Sequence, residues 1–278
     1  MAIIPKQYMN SVVSIGICDN SEEICDNSAI SWIGTGFFVE RKNNDKKKSM
    51  PFLVTNKHVV AGNCQLVIRM RNHTTGSLEK FSIPSLKKDE KITYYIHENA
   101  KVDIAVIPLN GKFIEENSYD FFAFDIDNDA LDSEQLRKFD VDEGSLIYML
   151  GYPMGLVNMS SSTPICRLGC IARMDKEQIE STNNILVDIQ NFPGNSGSPI
   201  IYRPEALSIE GTKNLMNSVL IGIVHSYIPY RETLISSQTG EIVEIRSENS
   251  GLAYAHPVEY IRHIIDDFFK KNPNIFDM

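Results

Sequence analysis

Residues 185–202 read ILVDIQNFPGNSGSPIIY, a run of apolar and β-branched residues, a cluster of Pro, Gly, Asn and Ser, and a second apolar run. Branched residues favour strands and the clustered small residues favour turns, so the stretch predicts strand, tight loop, strand. The loop also has a chemical reading. Ser196 lies between Gly194 and Gly197, and a glycine-rich loop held by strands can present a hydroxyl beside free main-chain N–H groups. On these residues alone, a plain turn and a nucleophile loop are both open.

The pattern outside that loop is also strand-like. Short β-branched and aromatic runs separated by turn residues recur at 11–17, 33–40, 51–56, 64–70, 103–109, 145–153, 199–204 and 218–227. Such spacing predicts an all-β barrel or sandwich. The stretch 115–143 is acidic and weakly periodic and reads as a connector, with a short helix at DSEQLRKF (132–139) that Asp132 or Ser133 would cap. Near the end, Val258, Ile261, Ile265 and Phe268 recur at helical spacing, with Lys270 and Lys271 in the last turn. The expected organisation is a β half (11–114), a connector (115–143), a second β half (144–255) and a terminal helix (256–271).

Composition narrows the function classes. The chain has 278 residues and a net charge of −9, which argues against a broad nucleic-acid surface. The basic run RKNNDKKK (41–48) reads as a solvated loop. No apolar run approaches the ~20 residues of a membrane span. The start MAIIPKQYMNSVVSIGI lacks the features of a secretory signal. A cytoplasmic protein with no membrane or nucleic-acid partner is therefore expected. Its five cysteines are odd in number and sparse, which points to reduced thiols. Cys166 and Cys170 stand four apart without a second pair at zinc-ligand spacing, so no metal site is expected. With Cys64 they fall in strand-like runs and read as buried, inert thiols.

Two further residues join Ser196 as candidates. FLVTNKHVVAG (52–62) places His58 where a strand gives way to a turn or short helix, and HENAKVDIAVIPL (97–109) places Asp103 at the head of an apolar strand. Each alone has a structural reading. Together they supply what acyl transfer by a serine requires: a neutral imidazole to take the hydroxyl proton and a carboxylate to orient that imidazole.

The motifs TNKHVV (55–60), DIAV (103–106), LGYP (150–153) and GNSGSP (194–199), in this order, resemble the chymotrypsin-fold serine peptidases, in particular the bacterial HtrA-type proteases and glutamyl endopeptidases. GTGFFV (34–39), LIGIVHS (220–226) and NSGLAYAHPVEYI (249–261) extend the resemblance over roughly residues 11 to 270. It implies a single peptidase domain of two six-stranded antiparallel β-barrels, with the site in the cleft between them. It also implies His58 as general base, Asp103 as its orienting carboxylate, Ser196 as nucleophile and the N–H groups of Gly194 and Ser196 as oxyanion donors. No cofactor is implied, and the substrate would be a protein or peptide. No PDZ module is expected after the terminal helix.

Where digestive relatives carry an Asp that pairs with a new N-terminal amine, this chain has Asn195; activation by that ion pair is not expected. By resemblance the substrate pocket is lined by Gln190, Asn191, Phe192, Val224, His225, Ser226, Tyr227, Ser250 and Gly251. Gln190 at its floor is uncharged, which speaks against a preference for Arg or Lys. The histidine that reads glutamate in glutamyl endopeptidases is displaced by one position in GIVHS, so Val224 takes its place, and His225 would reach the pocket only through a bulge. Small or medium uncharged residues before the scissile bond are expected. The segments 203–218 and 228–249 are long, the latter reading as a hairpin with Thr239-Gly240 at its tip, and suit recognition or control by a regulatory protein partner. His73 and His97 read as exposed, and His256 and His263 as structural or solvated. The alternative is a latent or inactive protease-fold protein that binds rather than cleaves.

Overall fold

Every strand-like run named above becomes a strand in the computed structural model, which describes residues 4–277 except 19–29, 44, 46, 63–65, 84–93, 159, 206–210 and 214. The first half holds β1 (Val12–Cys18), β2 (Ile30–Lys42), β3 (Ser49–Thr55), α1 (Lys57–Val60), β4 (Leu66–Arg71), β5 (Leu78–Ile83), β6 (Tyr95–Ile96), β7 (Ala105–Pro108), α2 (Gly111–Glu116), β8 (Phe124–Asp125) and α3 (Ser133–Lys138). The second holds β9 (Leu146–Gly151), β10 (Ile165–Arg173), α4 (Lys176–Thr182), β11 (Ile185–Asp188), β12 (Pro199–Tyr202), β13 (Leu220–Ile235), β14 (Ile242–Pro257) and α5 (Val258–Lys271).

The two halves close differently. The second is a closed barrel in the order β10-β11-β14-β13-β12-β9. The first runs β5-β4-β1-β2-β3-β7-β6 and stays an open sheet among the described residues, which corrects the expectation of two closed six-stranded barrels. Among the described residues β6 contributes Tyr95 and Ile96, both paired with β7. The supposed connector, moreover, is not free of the sheet. Its β8 pairs in parallel with β2, Val39 facing Phe124 and Glu40 facing Asp125.

Among the described residues strand alternation builds three large apolar clusters and a small one of Ile30 and Val67 under Trp32. On β2, Phe38 points into the first half while Phe37 and Val39 point toward the second; on β3, Leu53 and the pair Phe52 and Val54 divide the same way. The middle cluster joins Phe37, Phe52 and Val54 to Tyr148, Leu150 and Tyr152 of the second half. Helix α5 seals it with Val258, Ile261, Ile265 and Phe268, the residues expected from periodicity, and Phe268 meets Phe52 edge-on at 5.2 Å. Each such burial contributes roughly 1.5–3 kcal/mol, so the halves are held as one body by apolar packing.

Local signals resolve as their chemistry predicts. Asp132 caps α3 by accepting from the Gln135 N–H at 2.8 Å while Gln135 Oε1 accepts from the Asp132 N–H at 2.9 Å. Beyond the barrel, β13 and β14 continue as an exposed two-stranded arm pairing Pro229–Ile235 with Ile242–Asn249. Its turn closes through Ser236 and Glu241, with Gly240 at φ +73°. Cys166 on β10 is exposed and Cys170 half-buried, which corrects the reading of both as buried thiols; Cys64 lies outside the described residues. Among the described residues no helix is long and apolar enough to cross a membrane.

Candidate active site

β3 and β7 are antiparallel neighbours with Thr55 facing Ala105. That register alone brings His58, three residues beyond Thr55, beside Asp103, two residues before Ala105. The single turn of α1 then wraps around the aspartate. The His58 N–H donates to Asp103 Oδ1 at 3.0 Å, and His58 Nδ1 lies 2.5 Å from Asp103 Oδ2. Asn56 Nδ2 donates to the Asp103 carbonyl at 2.7 Å, fixing the main chain behind the carboxylate. Burial by itself would raise the Asp103 carboxyl, but the hydrogen bonds and positive field of His58 outweigh it and hold the group below its ordinary value. The carboxylate is largely shielded, whereas the His58 side chain is half exposed.

The Ser196 loop is built without charges. Gly194 and Gly197 take φ of +95° and +90°, the left-handed region that a Cβ disfavours. A Cβ on Gly197 would also strike the Thr35 carbonyl and the Thr55 hydroxyl. Thr35, on β2 of the other half, reaches across: its N–H donates to the Ser196 carbonyl at 2.8 Å and its Oγ1 to the Gly194 carbonyl at 2.7 Å. Thr35 is itself held, because Thr55 Oγ1 donates to its carbonyl at 2.7 Å and the Tyr152 N–H donates to its Oγ1 at 3.1 Å. Within the loop, Asn195 N–H donates to the Phe192 carbonyl at 3.0 Å and Gly197 N–H to the Val224 carbonyl at 3.0 Å.

Among the described residues the N–H groups of Gly194 and Ser196 have no protein acceptor, which leaves them available to a ligand oxygen. Nor, among those residues, does a hydrogen bond join Ser196 to His58. The loop approaches α1 at Gly34, where a Cβ would stand 2.8 Å from Val59 and 3.4 Å from the Ser196 carbonyl.

The pocket candidates divide. Gln190, Asn191, Ser250 and Gly251 gather where the arm leaves the barrel. A Cβ on Gly251 would stand 3.5 Å from Gln190 Nε2. Asn249 Nδ2 donates to the Asn191 carbonyl at 2.6 Å, and Ser250 Oγ to the Ile228 carbonyl at 2.6 Å. Phe192 is half-buried under the Arg167 guanidinium, 5.1 Å from the ring centroid. Ser226 is half-buried and Tyr227 exposed. Val224 is fully buried in the barrel core instead of on a solvent-facing wall.

The bulge that His225 would need is present, as a register shift between Val224 and Ser226. It lays the ring flat on His256, with centroids 4.2 Å apart, and sets His225 Nε2 2.8 Å from Asn184 Oδ1. Burial, and then the neighbouring His256, push His225 down to about 3. His97 is half-buried against Tyr260, not exposed. His256 is buried and accepts the Asp103 N–H at 2.9 Å. Thr35 and Thr55 were not singled out from sequence, and His256, read there as structural or solvated, is buried. GTGFFV and TNKHVV contain the first two without disclosing a role. Among the described residues no group of three or more His, Cys, Asp or Glu side chains is arranged to hold a metal ion.

A histidine–aspartate pair from the first half and a glycine-framed serine loop from the second are what the trypsin-like peptidases, as a class, combine. Residues 34–205 match the model of the trypsin-like peptidase domain, and the chain belongs to that family. No curated protein matches it. Among solved structures it is similar to the inactivated protease paralogue S-I1 of the scabies mite, at 13% identity and a TM-score of 0.52, covering 95% of this chain and 97% of that one. It is also similar to the apo MamO protease domain of Magnetospirillum magneticum, at 14% identity and a TM-score of 0.47, covering 93% and 97%. The first of these likenesses supports the fold alone.

Proposed function

We propose that the chain is a serine endopeptidase in which Ser196, His58 and Asp103 act as a triad. The observation that carries this reading is the His58–Asp103 pair at 2.5 Å, placed beside a loop whose Gly194 and Ser196 N–H groups are free. Ser196 Oγ attacks the scissile carbonyl carbon as its proton passes to His58 Nε2. Asp103 accepts the Nδ1–H bond and stabilises the imidazolium. The oxyanion is met by the two free N–H groups, each worth ~3 kcal/mol of barrier. His58 then hands its proton to the leaving amine, and water, deprotonated by His58, hydrolyses the acyl-enzyme. The uncharged, buried Asn195 supports a loop formed without an N-terminal ion pair. The uncharged Gln190, and the absence of a histidine at the position that reads glutamate in glutamyl endopeptidases, favour small or medium uncharged residues before the scissile bond. The exposed arm beside the pocket suits a regulatory protein partner.

A second reading is a latent or inactive protease fold, favoured by the lack of a Ser196–His58 hydrogen bond among the described residues. Such bonds often tighten only when substrate is bound. Reaction with a fluorophosphonate followed by mass spectrometry separates the two. An adduct on Ser196, absent in Ser196→Ala, is expected of the peptidase; a folded protein that takes up no reagent would establish the second reading.

A further inference from the structure

We infer that His256 is a positioning residue for Asp103, acting as a hydrogen-bond acceptor for its main-chain N–H. This rests on the reading of His58 and Asp103 as the base pair of the site.

Asp103 lies in a loop before β7, where no strand partner satisfies its N–H. His256 Nε2 fills that place at 2.9 Å. The opposite nitrogen, Nδ1, lies 2.8 Å from the Asn183 carbonyl, an atom that only accepts. The two contacts demand the same neutral tautomer: the proton on Nδ1, the lone pair on Nε2. A ring protonated on both nitrogens would turn a donor toward the Asp103 N–H and break the contact.

The ring and its anchor are both held. Asn183 ends α4 in the left-handed conformation, φ 60°. Its Oδ1 accepts from Asn99 Nδ2 at 3.1 Å and from Tyr260 Oη at 3.2 Å. His225 covers one face of the ring, stacked within 11° of parallel. His256 is 1% exposed, so no bulk water competes for either nitrogen; burial lowers its proton affinity and favours the neutral form the geometry needs.

The consequence is a chain of contacts from the second half of the molecule into the first: Asn183 to His256, His256 to the Asp103 main chain, the Asp103 carboxylate to His58. With its N–H held by His256 and its carbonyl by Asn56, the Asp103 main chain is fixed, and its carboxylate starts from a set position beneath the two His58 contacts.

The test uses the full chain with His256→Phe, which keeps the ring's bulk but offers no acceptor, and His256→Gln, whose amide oxygen reaches the Nε2 position. Peptide cleavage and fluorophosphonate labelling are measured beside the downfield NMR resonance of the His58 Nδ1 proton, the latter in a Ser196→Ala background. His256→Phe is expected to lower kcat and the labelling rate about tenfold or more, the scale of one lost hydrogen bond, with KM nearly constant and the resonance broadened. His256→Gln is expected to recover most of both. Equal losses in the two variants, tracking their melting temperatures, would make His256 a packing residue and overturn the inference, as would parent-like values for His256→Phe. If the parent neither cleaves nor labels but the resonance follows the Phe and Gln pattern, the peptidase reading fails and the positioning role stands. Should His256→Phe not fold, Asn99→Ala with Tyr260→Phe strips the supports of Asn183 and is expected to broaden the same resonance; an unchanged resonance there would overturn the inference.

Discussion

The two sides of the cleft are held by different kinds of bond. On the base side, His58, Asp103, His225 and His256 are ionisable and partly or wholly buried, and their contacts depend on protonation. On the nucleophile side the loop is pinned by main-chain amides, two threonine hydroxyls and two glycines with positive φ, none of which titrates. The contrast fits the proposed chemistry. The base must gain and lose a proton in each turnover, whereas oxyanion donors serve best when they do not move. Damage to the first side should therefore be chemical and pH-dependent, and damage to the second geometric and pH-independent.

The largest effect is expected from Asp103→Asn. Its amide can keep the shape of the carboxylate but cannot accept the His58 Nδ1–H with a negative charge. Loss of that role in triads costs about 10⁴ in kcat, so cleavage should fall by about that factor with the melting temperature little changed. Retention of a tenth of parental kcat would show that His58 works without Asp103. On the other side, Gly197→Ala must place a methyl where the Thr35 carbonyl and Thr55 hydroxyl already stand, at φ +90°. Labelling of Ser196 should fall by roughly 10²-fold or more, the scale of one lost oxyanion donor, equally at every pH. A loss confined to acid pH would contradict the division drawn above.

Asn195→Asp tests whether the loop tolerates charge. Among the described residues both amide atoms of Asn195 are buried without a hydrogen-bond partner, and the side chain points toward Ser198 and Gly151. An ionised carboxylate there would be buried without a cation, which is costly. The expected outcome is slower labelling at neutral pH that recovers on mild acidification, as the new carboxyl takes up a proton. Parental labelling at neutral pH would show that a counter-charge reaches the loop.

Much of this site was legible because it is written in local signals. Strand-loop-strand at 185–202, the Asp132 to Gln135 capping box and the α5 stripe each depend on residues a few positions apart. The parts that were not legible depend on pairs far apart in the chain. Thr35 and Gly194 are 159 positions apart, and Asp103 and His256 are 153 apart; no periodicity marks either. The parallel pairing of β8 with β2 joins residues some 85 positions apart and is likewise a matter of tertiary context. The bulge at His225 was only a condition in the sequence, because a one-residue shift decides which face a side chain takes.

The smallest effect is one of slope and sharpens the comparison most directly. His225 has a folded-state value of about 3 against ~6.5 for an unfolded histidine. Above ~6.5 the ring is neutral in both states and its contribution does not vary with pH. As pH falls below that value the unfolded chain takes up a proton that the folded site refuses, so stability is lost progressively until about 3. Asp103, held below its ordinary value, acts in a separate window: its contribution is present above ~3.9 and is lost only as pH falls through its folded value. Between ~6.5 and ~4 the acid loss at this site is therefore a histidine effect. In His225→Gln, whose amide can still donate to Asn184 Oδ1, the fall in melting temperature over that interval should be shallower than in the parent. Thr35→Val, which removes the hydroxyl pinning Gly194, should lower the whole curve by a similar amount at each pH and leave its slope alone. A His225→Gln curve parallel to the parent would mean that the stacked histidine exchanges its proton freely in the folded protein, and the base side would lose its distinction from the loop.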